Sequence, residues 1–570
     1  MKLKRNRSKG GFALLMVLAF VAVALIGLGG ALSWTSTTAL NTDRNNQYFT
    51  TVAAAEAATE KVLTKMSGDF QVNGIGSVIT GLPSYRGLTP DGNEEPFWNG
   101  FQFSDGEGTA NSTYVQQIGN WGYTNLGSQY AGLKGYAATF RVVSNARSTV
   151  PPVLTAAVKQ EIQLAAIPVF QFAIFYTMDL EINPGPDMTI NGRVHSNGEI
   201  YTRPNSSVTY LDHVTAVRNI NLFQSPLDPS GRPTTGVVQF KKEHDARVSS
   251  LTLPIGTNNS PQAVHSVVDV PPPGEAIQSL MGKQRYFNKA DVVLIYSNAT
   301  MVARSGSFNG FSTTIPTNQL NTFLSTNTSF AFYNMREGKT VRTMQIDVAA
   351  FKIFSEGWFH AQFGRRANTI YIADKRNLTG SSQSGIRVVN GHTLPVGGLT
   401  VATPNPLYLK GHYNSPPSPN HRGTANTSNT RPASLVADAI TILSQNWNDA
   451  NGNSPLGHRL AVDTTVNAAF LGGIVPSNGT YYSGGVENFP RFLENWSGRT
   501  LTYNGSMVVM FYSQIANGPW TGTGVSYHPP NRNWAFDLNF LDVTKLPPGT
   551  PQLLTMVRGT WGLLPPNTIL

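Results

Sequence analysis

Two neighbouring stretches, KLKRNRSKGGFALLMVLAFVAVALIGLGG (residues 2–30) and RNNQYFTTVAAAEAATEKVL (residues 44–63), decide how this chain is built. Lys2, Lys4, Arg5, Arg7 and Lys9 place five cations in the leading segment, half of the formal net charge of +10. No charge follows from Gly10 to Thr42. The apolar run Phe12 to Leu32 would make roughly 32 Å of helix, the thickness of a bilayer's hydrocarbon layer. Cations on its N-terminal side alone hold that end in the cytoplasm and send the bulk across. A cleaved secretory signal has a shorter apolar stretch, and here the helical pattern does not stop at the membrane. Tyr48, Val52, Ala55, Thr59, Val62 and Met66 recur at steps of three and four, one helical face, with Arg44, Glu56, Glu60 and Lys61 off it. Ala53, Ala54, Ala57 and Ala58 are strong helix formers. The spacing predicts one helix from Phe12 to Met66, roughly 80 Å long, with Gly68 as its stop. Gly27, Gly29 and Gly30 are either weak points or close-packing positions within it.

A short basic leader, Gly-Phe, and an apolar helix that runs on as an amphipathic one resemble the type IV prepilin class. The Ala-Ala-Glu-Ala segment looks like that of PilX-type minor pilins and of the K-type pseudopilins of type II secretion. The resemblance covers about residues 8–66. It implies a leader over 1–11, cleavage by prepilin peptidase between Gly11 and Phe12, and a membrane and filament face that includes Leu14, Leu15, Met16, Leu18, Phe20 and Leu25. Met16 stands where most pilins carry a glutamate, and an apolar residue is the cheaper one in lipid. The implied partners are other pilins or pseudopilins, an inner-membrane assembly platform, prepilin peptidase and membrane lipid. A surface glycan or protein is the expected ligand of the head. The implied location is the inner membrane, single-pass, with the bulk periplasmic or extracellular in a filament.

The chain as a whole is sparsely charged, at 13% Asp, Glu, Lys and Arg, and rich in turn formers, with 54 Gly and 36 Pro. Coiled coils and charge-driven disorder do not fit that composition. Cys is absent, which excludes disulfides, thiolate metal sites and cysteine nucleophiles. Residues 67–135 read as loops and short strands. GYAATFRVVS (135–144) and VLTAAVKQEIQLAAI (153–167) read as an antiparallel pair around Pro151-Pro152; Leu154, Ala156, Val158, Ile162 and Leu164 share a face. With the helix, 67–167 forms a pilin-like α/β head. From 168 to 415 a β-rich domain is expected. Short strands between Asn191-Gly192 and Asn197-Gly198 suit hairpins or solenoid rungs; the solenoid is favoured, although no fixed period is evident. Residues 416–432, polar and Pro-rich, read as a linker, and 433–570 as a C-terminal β-rich part. The fold class is thus α+β to mainly β. The phrases TINGRVHSNGEIY, GLTVATPNPLYLKGHYN, LVADAITILSQNW, YSGGVENFPRFLENW and NRNWAFDLNF resemble a large β-rich module found behind prepilin-like helices in bacterial surface proteins. That resemblance implies architecture and company, not an activity.

No phosphate loop, dinucleotide fingerprint, HExxH pair or nucleophile elbow is present. Three clusters carry chemistry-bearing residues. His195 and Glu199 are four apart, but in a turn-rich β segment, where a polar turn is favoured over metal ligation. Glu487, Arg491 and Glu494 lie among Phe489, Phe492 and Trp496; an Arg–carboxylate network beside an aromatic core is favoured over a glycoside-hydrolase carboxylate pair. Tyr527, His528, Arg532, Trp534 and Asp537 read as a loop packing the last strands, or else a sugar platform. No cofactor is expected. With the leader's cations assigned to membrane orientation, the remaining charge is too sparse for nucleic-acid binding. The function expected is therefore non-enzymatic: a minor pilin or pseudopilin whose large head primes assembly or adheres. A membrane-tethered solenoid acting on polysaccharide, or an adhesin independent of any filament, is the alternative.

Overall fold

The computed structural model describes residues 10–231, 235–297, 300–305, 313–326, 330–378 and 380–568. The leader cations therefore lie outside the described residues. Helix α1 spans Gly10–Asn73, 64 residues, or about 96 Å. It passes unbroken through Gly27, Gly29 and Gly30 and also through Gly68, which is not the stop expected of it. The stop is Gly74, at φ 73°, a left-handed conformation that glycine adopts at little cost. The helix outlasts Gly68 because Phe70, one turn beyond Met66, is fully buried in the same core as Val62 and Met66. A second helix, α2 (Ile75–Arg86), follows where loops were expected. Its Val78 and Tyr85 join that core, and the Tyr85 hydroxyl donates to Asp69 Oδ2 at 2.8 Å.

The two expected strands are longer than they looked: β3 (Lys134–Ser148) and β4 (Thr155–Pro168) pair antiparallel from Tyr136↔Ala166 to Arg147↔Thr155. Strands β1 (Phe101–Ser104) and β2 (Tyr114–Asn125) both join β3. The fifth strand comes from the far end of the chain: Gln552–Leu564 pairs antiparallel with β4. The helical face read from sequence lies on this sheet. Val52, Ala55 and Ala58 pack with Phe103, Ala146, Ala156 and Val158. Val62 and Met66 pack with Phe140, Val142, Ile162, Leu164 and Leu554. The stripe is real, but it is used up inside the chain.

From Phe172 onward the backbone winds into stacked coils. Strands Ile174–Tyr176, Val194–Ser196 and Val214–Ala216 pair parallel, Ile174↔Val194↔Val214, so one turn takes 20 residues. The period was present in the sequence as Leu180, Ile200 and Ile220 in the same relation. No fixed repeat shows along the sequence because the third coil is interrupted by a longer corner, Phe240 rather than a residue near 230 lying beneath Tyr210.

The chain then starts again at the opposite end of the stack. Among the described residues the principal sheet has 12 strands. Its inward ladder runs Val292, Ile370, Val401, Leu435, Phe470, Met507, Ile174, Val194, Val214, each in register with the next. The later coils thus descend onto the first one, and Met507–Tyr512 closes the seam against Ile174–Tyr176. Every residue of that ladder is buried in one core. Two further parallel faces complete the coils, one carrying Lys339–Asp347, Ser382–Val389, Leu407–Lys410 and Ile440–Leu443, the other Thr464–Asn467, Thr500–Gly505 and Asn531–Phe536.

Getting from the bottom coil to the top needs a return segment, residues 247–291. Its Leu251, Leu253, Val264, Val267, Val268 and Tyr286 cover the outer side of the principal sheet, over Phe175, Tyr371, Val436, Leu471 and Val508. That sheet is therefore apolar on both faces, which explains its unbroken apolar runs. The stretch 416–432 is a loop within the stack and not a linker between units. Strands on either side of it share the same two sheets, Leu399↔Ala433 and Leu407↔Ile440. Its Thr427 hydroxyl donates to Asp537 Oδ1 at 2.8 Å, and Gly423 N–H to Thr465 Oγ1 at 3.0 Å. No break separates 433–570 from what precedes it.

Candidate functional site

The exposed length of α1 is the first candidate. From Phe12 to Asn46 every residue is exposed, including Leu14, Leu15, Met16, Leu18, Phe20 and Leu25. Three of its hydroxyls are satisfied within the helix: Thr35, Thr37 and Thr42 donate to the carbonyls four residues back at 2.8 to 2.9 Å. No atom lies within 4 Å of where a Cβ would sit on Gly27, Gly29 or Gly30. The helix is long and apolar enough to cross a membrane. About 52 Å of rod over 12–46 exceeds the roughly 30 Å of bilayer hydrocarbon, so a bilayer crossed by this helix would leave part of it outside lipid. Beyond the apolar run, Trp34, Leu40 and Phe49 are exposed.

The carboxylates around 481–496 do not form a pair. Glu494 is buried and receives both the N–H and the hydroxyl of Ser444, at 2.6 and 2.7 Å. Burial pushes its carboxyl up to about 7, against those hydrogen bonds. Glu487 is held instead by the Asn183 N–H and the Tyr482 hydroxyl, both at 3.4 Å. Arg491 turns to neither; it pairs with Glu337 at 2.7 Å and donates to the Ala516 carbonyl at 2.8 Å. Phe489, Phe492 and Trp496 are core. An Arg–carboxylate network beside an aromatic core is what the fold builds, with Glu337 as the carboxylate.

The third cluster packs onto the second. Arg532 Nε donates to the Glu487 carbonyl at 3.0 Å, and its guanidinium lies 5.5 Å from the Trp534 ring. Tyr527 donates to Asn488 and accepts from Trp520 Nε1 at 3.0 Å. Asp537 caps the turn that follows it, accepting from Asn539 N–H at 3.0 Å. His528 takes part through its backbone, its N–H donating to the Glu494 carbonyl at 3.1 Å. These aromatics close coils and do not form a platform.

His195 and Glu199 point to different neighbours. In the parallel ladder Phe175, His195 and Thr215 stand side by side on the outer face of the sheet. Register alone therefore stacks the imidazole on Phe175, centroids 5.5 Å apart at 12°, and brings Nδ1 to Thr215 Oγ1 at 2.8 Å. Nε2 meets Asn197 Oδ1 at 3.0 Å. Burial lowers this His to about 4, partly offset by the Asn197 hydrogen bond, so it is neutral at pH 7. Glu199 serves Asn219 N–H and Asn221 Nδ2 at 3.1 and 2.9 Å. Among the described residues no group of three His, Asp or Glu side chains is placed to hold a metal ion.

Two clefts were not legible in the sequence. One, about 360 Å³, sits near the seam and is lined by Asp179, Glu181, Arg218, Ser477 and Tyr512. The other, about 400 Å³, lies on the second face and is lined by Arg387, Lys410, Trp447 and Asp449. Each draws its lining from coils far apart in sequence, so no local spacing announces it.

No family model matches the chain, and no curated protein matches it. Among solved structures it is similar to the competence-associated pilin ComZ from Thermus thermophilus. Identity is 9%, over 90% of this chain and 96% of that one, with a TM-score of 0.29. A score that low carries neither fold nor function.

Proposed function

We propose that the chain is a minor pilin or pseudopilin of a type IV pilus or type II secretion-like filament, bearing a large β-solenoid head. The observation that carries this reading is the division of α1 into two halves. Its C-terminal half is buried on the head's own sheet, while Phe12 to Asn46 is bare and longer than a membrane is thick. A helix that only anchored a head would need little beyond the apolar run Phe12–Leu32, yet the rod continues bare through a mostly polar stretch that exposes Trp34 and Leu40. Sister helices in a bundle would cover it, since apolar surface outside lipid gains about 25 cal/mol per Å² when removed from water. In this reading the N-terminus begins in the cytoplasm, prepilin peptidase cuts between Gly11 and Phe12, and the inner membrane holds the helix until other pilins and the assembly platform receive it. The head then primes assembly or makes adhesive contacts at the filament surface or tip. The absence of a carboxylate at Met16 fits a subunit present in few copies rather than the repeating one.

The test is the mature N-terminus. Mass spectrometry of the protein from cells with an active prepilin peptidase is expected to find Phe12 first, and Gly11→Leu to abolish that cut. Intact Met1 in such cells would overturn the proposal. Co-purification with filament subunits separates it from a membrane-tethered adhesin, which would keep the anchor and lose the company.

A further inference from the structure

The cleft on the second face of the stack is the best-built site outside α1. It lies at the ends of three parallel strands, Lys339–Asp347, Ser382–Val389 and Leu407–Lys410, on the side away from the core. Arg387 forms its floor. In register beside Gln345, this Arg donates its Nε–H to Gln345 Oε1 at 3.1 Å. Its Nη1 donates to both oxygens of Asp449, at 2.6 and 2.8 Å. The guanidinium also lies 5.2 Å from the Phe330 ring. Asp449 takes a further hydrogen bond from Trp447 Nε1 at 2.9 Å. The Arg387 and Asp449 charges are thereby spent on each other.

Lys410 is different. It is half-buried at the rim of the same cleft, and among the described residues its ammonium has no hydrogen-bond or ion-pair partner. Burial and the neighbouring Arg387 disfavour its charge and lower its pKa, only partly offset by the more distant Asp449 and Glu494 carboxylates. A half-buried cation with no anion in contact carries a cost that a bound anion would reduce. The remaining lining suits hydroxyl groups. Gln445 and Asn448 are exposed amides at the opening, and Trp447 and Phe330 supply aromatic walls. A volume of about 400 Å³ lies within the range of small-molecule sites. One positive charge without a contacting anion is too little for a nucleic-acid track and the wrong sign for a metal.

We propose that this cleft binds an acidic saccharide, with the sugar carboxylate on Lys410 and ring hydroxyls on the Gln445 and Asn448 amides. The site is independent of α1 and of how the protein is anchored. It would give the head a carbohydrate ligand without any catalytic step, because its one carboxylate is already consumed by Arg387.

The full-length protein in nanodiscs, titrated calorimetrically with trigalacturonate, maltotriose and inorganic phosphate, tests this. Saturable binding of trigalacturonate alone is expected. Lys410→Met should weaken it about tenfold or more, the scale of a lost charged hydrogen bond, while Lys410→Arg stays within a few-fold of the parent. Gln445→Ala, on the exposed rim and so neutral for folding, should weaken it a few-fold and serves as the deciding variant if Lys410→Met does not fold. Three outcomes would overturn the proposal: maltotriose or phosphate binding as tightly as trigalacturonate, no binding of trigalacturonate, or binding unchanged in both Lys410→Met and Gln445→Ala.

Discussion

Arg558, on the last strand, grips the carboxylate of Glu60 on the first helix with both guanidinium nitrogens, Nη2 reaching Oε2 at 2.8 Å. The two residues are 498 apart in sequence. The pair marks where the end of the chain returns to its start: Gln552–Leu564 completes the sheet on which α1 lies, and Leu554 enters the helix core. Nothing in the local sequence of either segment names the other.

Removing residues 552–570 should therefore damage the N-terminal unit rather than trim a tail. Leu553, Leu554 and Val557 are buried, each worth about 1.5–3 kcal/mol on burial, and β4 would be left as an open edge. Arg558→Ala should cost under about 1 kcal/mol, because Arg558 and Glu60 are 48% and 47% exposed. Thermal unfolding of both variants, with aggregation followed by light scattering, checks the ranking.

His195 gives an acid limit. Its folded value lies below the unfolded one, so the stability it contributes is present above about 6.5 and is lost as pH falls toward about 4. The loss should be on the order of 3 kcal/mol once the buried ring must charge. Denaturant melts from pH 3 to 7 should show a steeper acid decline for the parent than for His195→Gln. Equal slopes would mean the ring has water or a partner when charged.

His265 acts in the other direction. Burial disfavours its charge, but Asp269 at 3.2 Å and Asp438 at 3.7 Å outweigh this and raise it to about 9. Its contribution is full below about 6.5 and disappears as pH climbs through about 9. His265→Gln should thus destabilise at pH 6 and be nearly neutral at pH 10. A penalty that does not change with pH would assign the residue to packing alone.

Asp438 should be the most sensitive single carboxylate. It is fully buried at a coil corner and accepts from the Gln514, Ile515 and Ala516 N–H groups, the last at 2.8 Å. Asp438→Ala strands those donors, at about 1–3 kcal/mol each. Hydrogen exchange should speed up at 513–518 first, before the coils themselves open.

Much of this architecture could be read from neighbouring residues. An uncharged apolar run, a three-and-four stripe and an alternating strand pair are local patterns, and α1, β3 and β4 appeared where those patterns lie. The identity of Arg491's partner was not readable, because Glu337 lies on another coil 154 residues away. The face Val52–Met66 could be found but not assigned. A stripe says that something covers it, not whether the cover is a sister helix or the chain's own sheet.

Periodicity and charge speak for elements because backbone geometry repeats every few residues. Order among coils has no such repeat. That the stack begins in its middle, doubles back outside its main sheet and closes Met507 onto Ile174 follows from which apolar faces meet, and contacts of that range leave no mark on the spacing of residues within either segment.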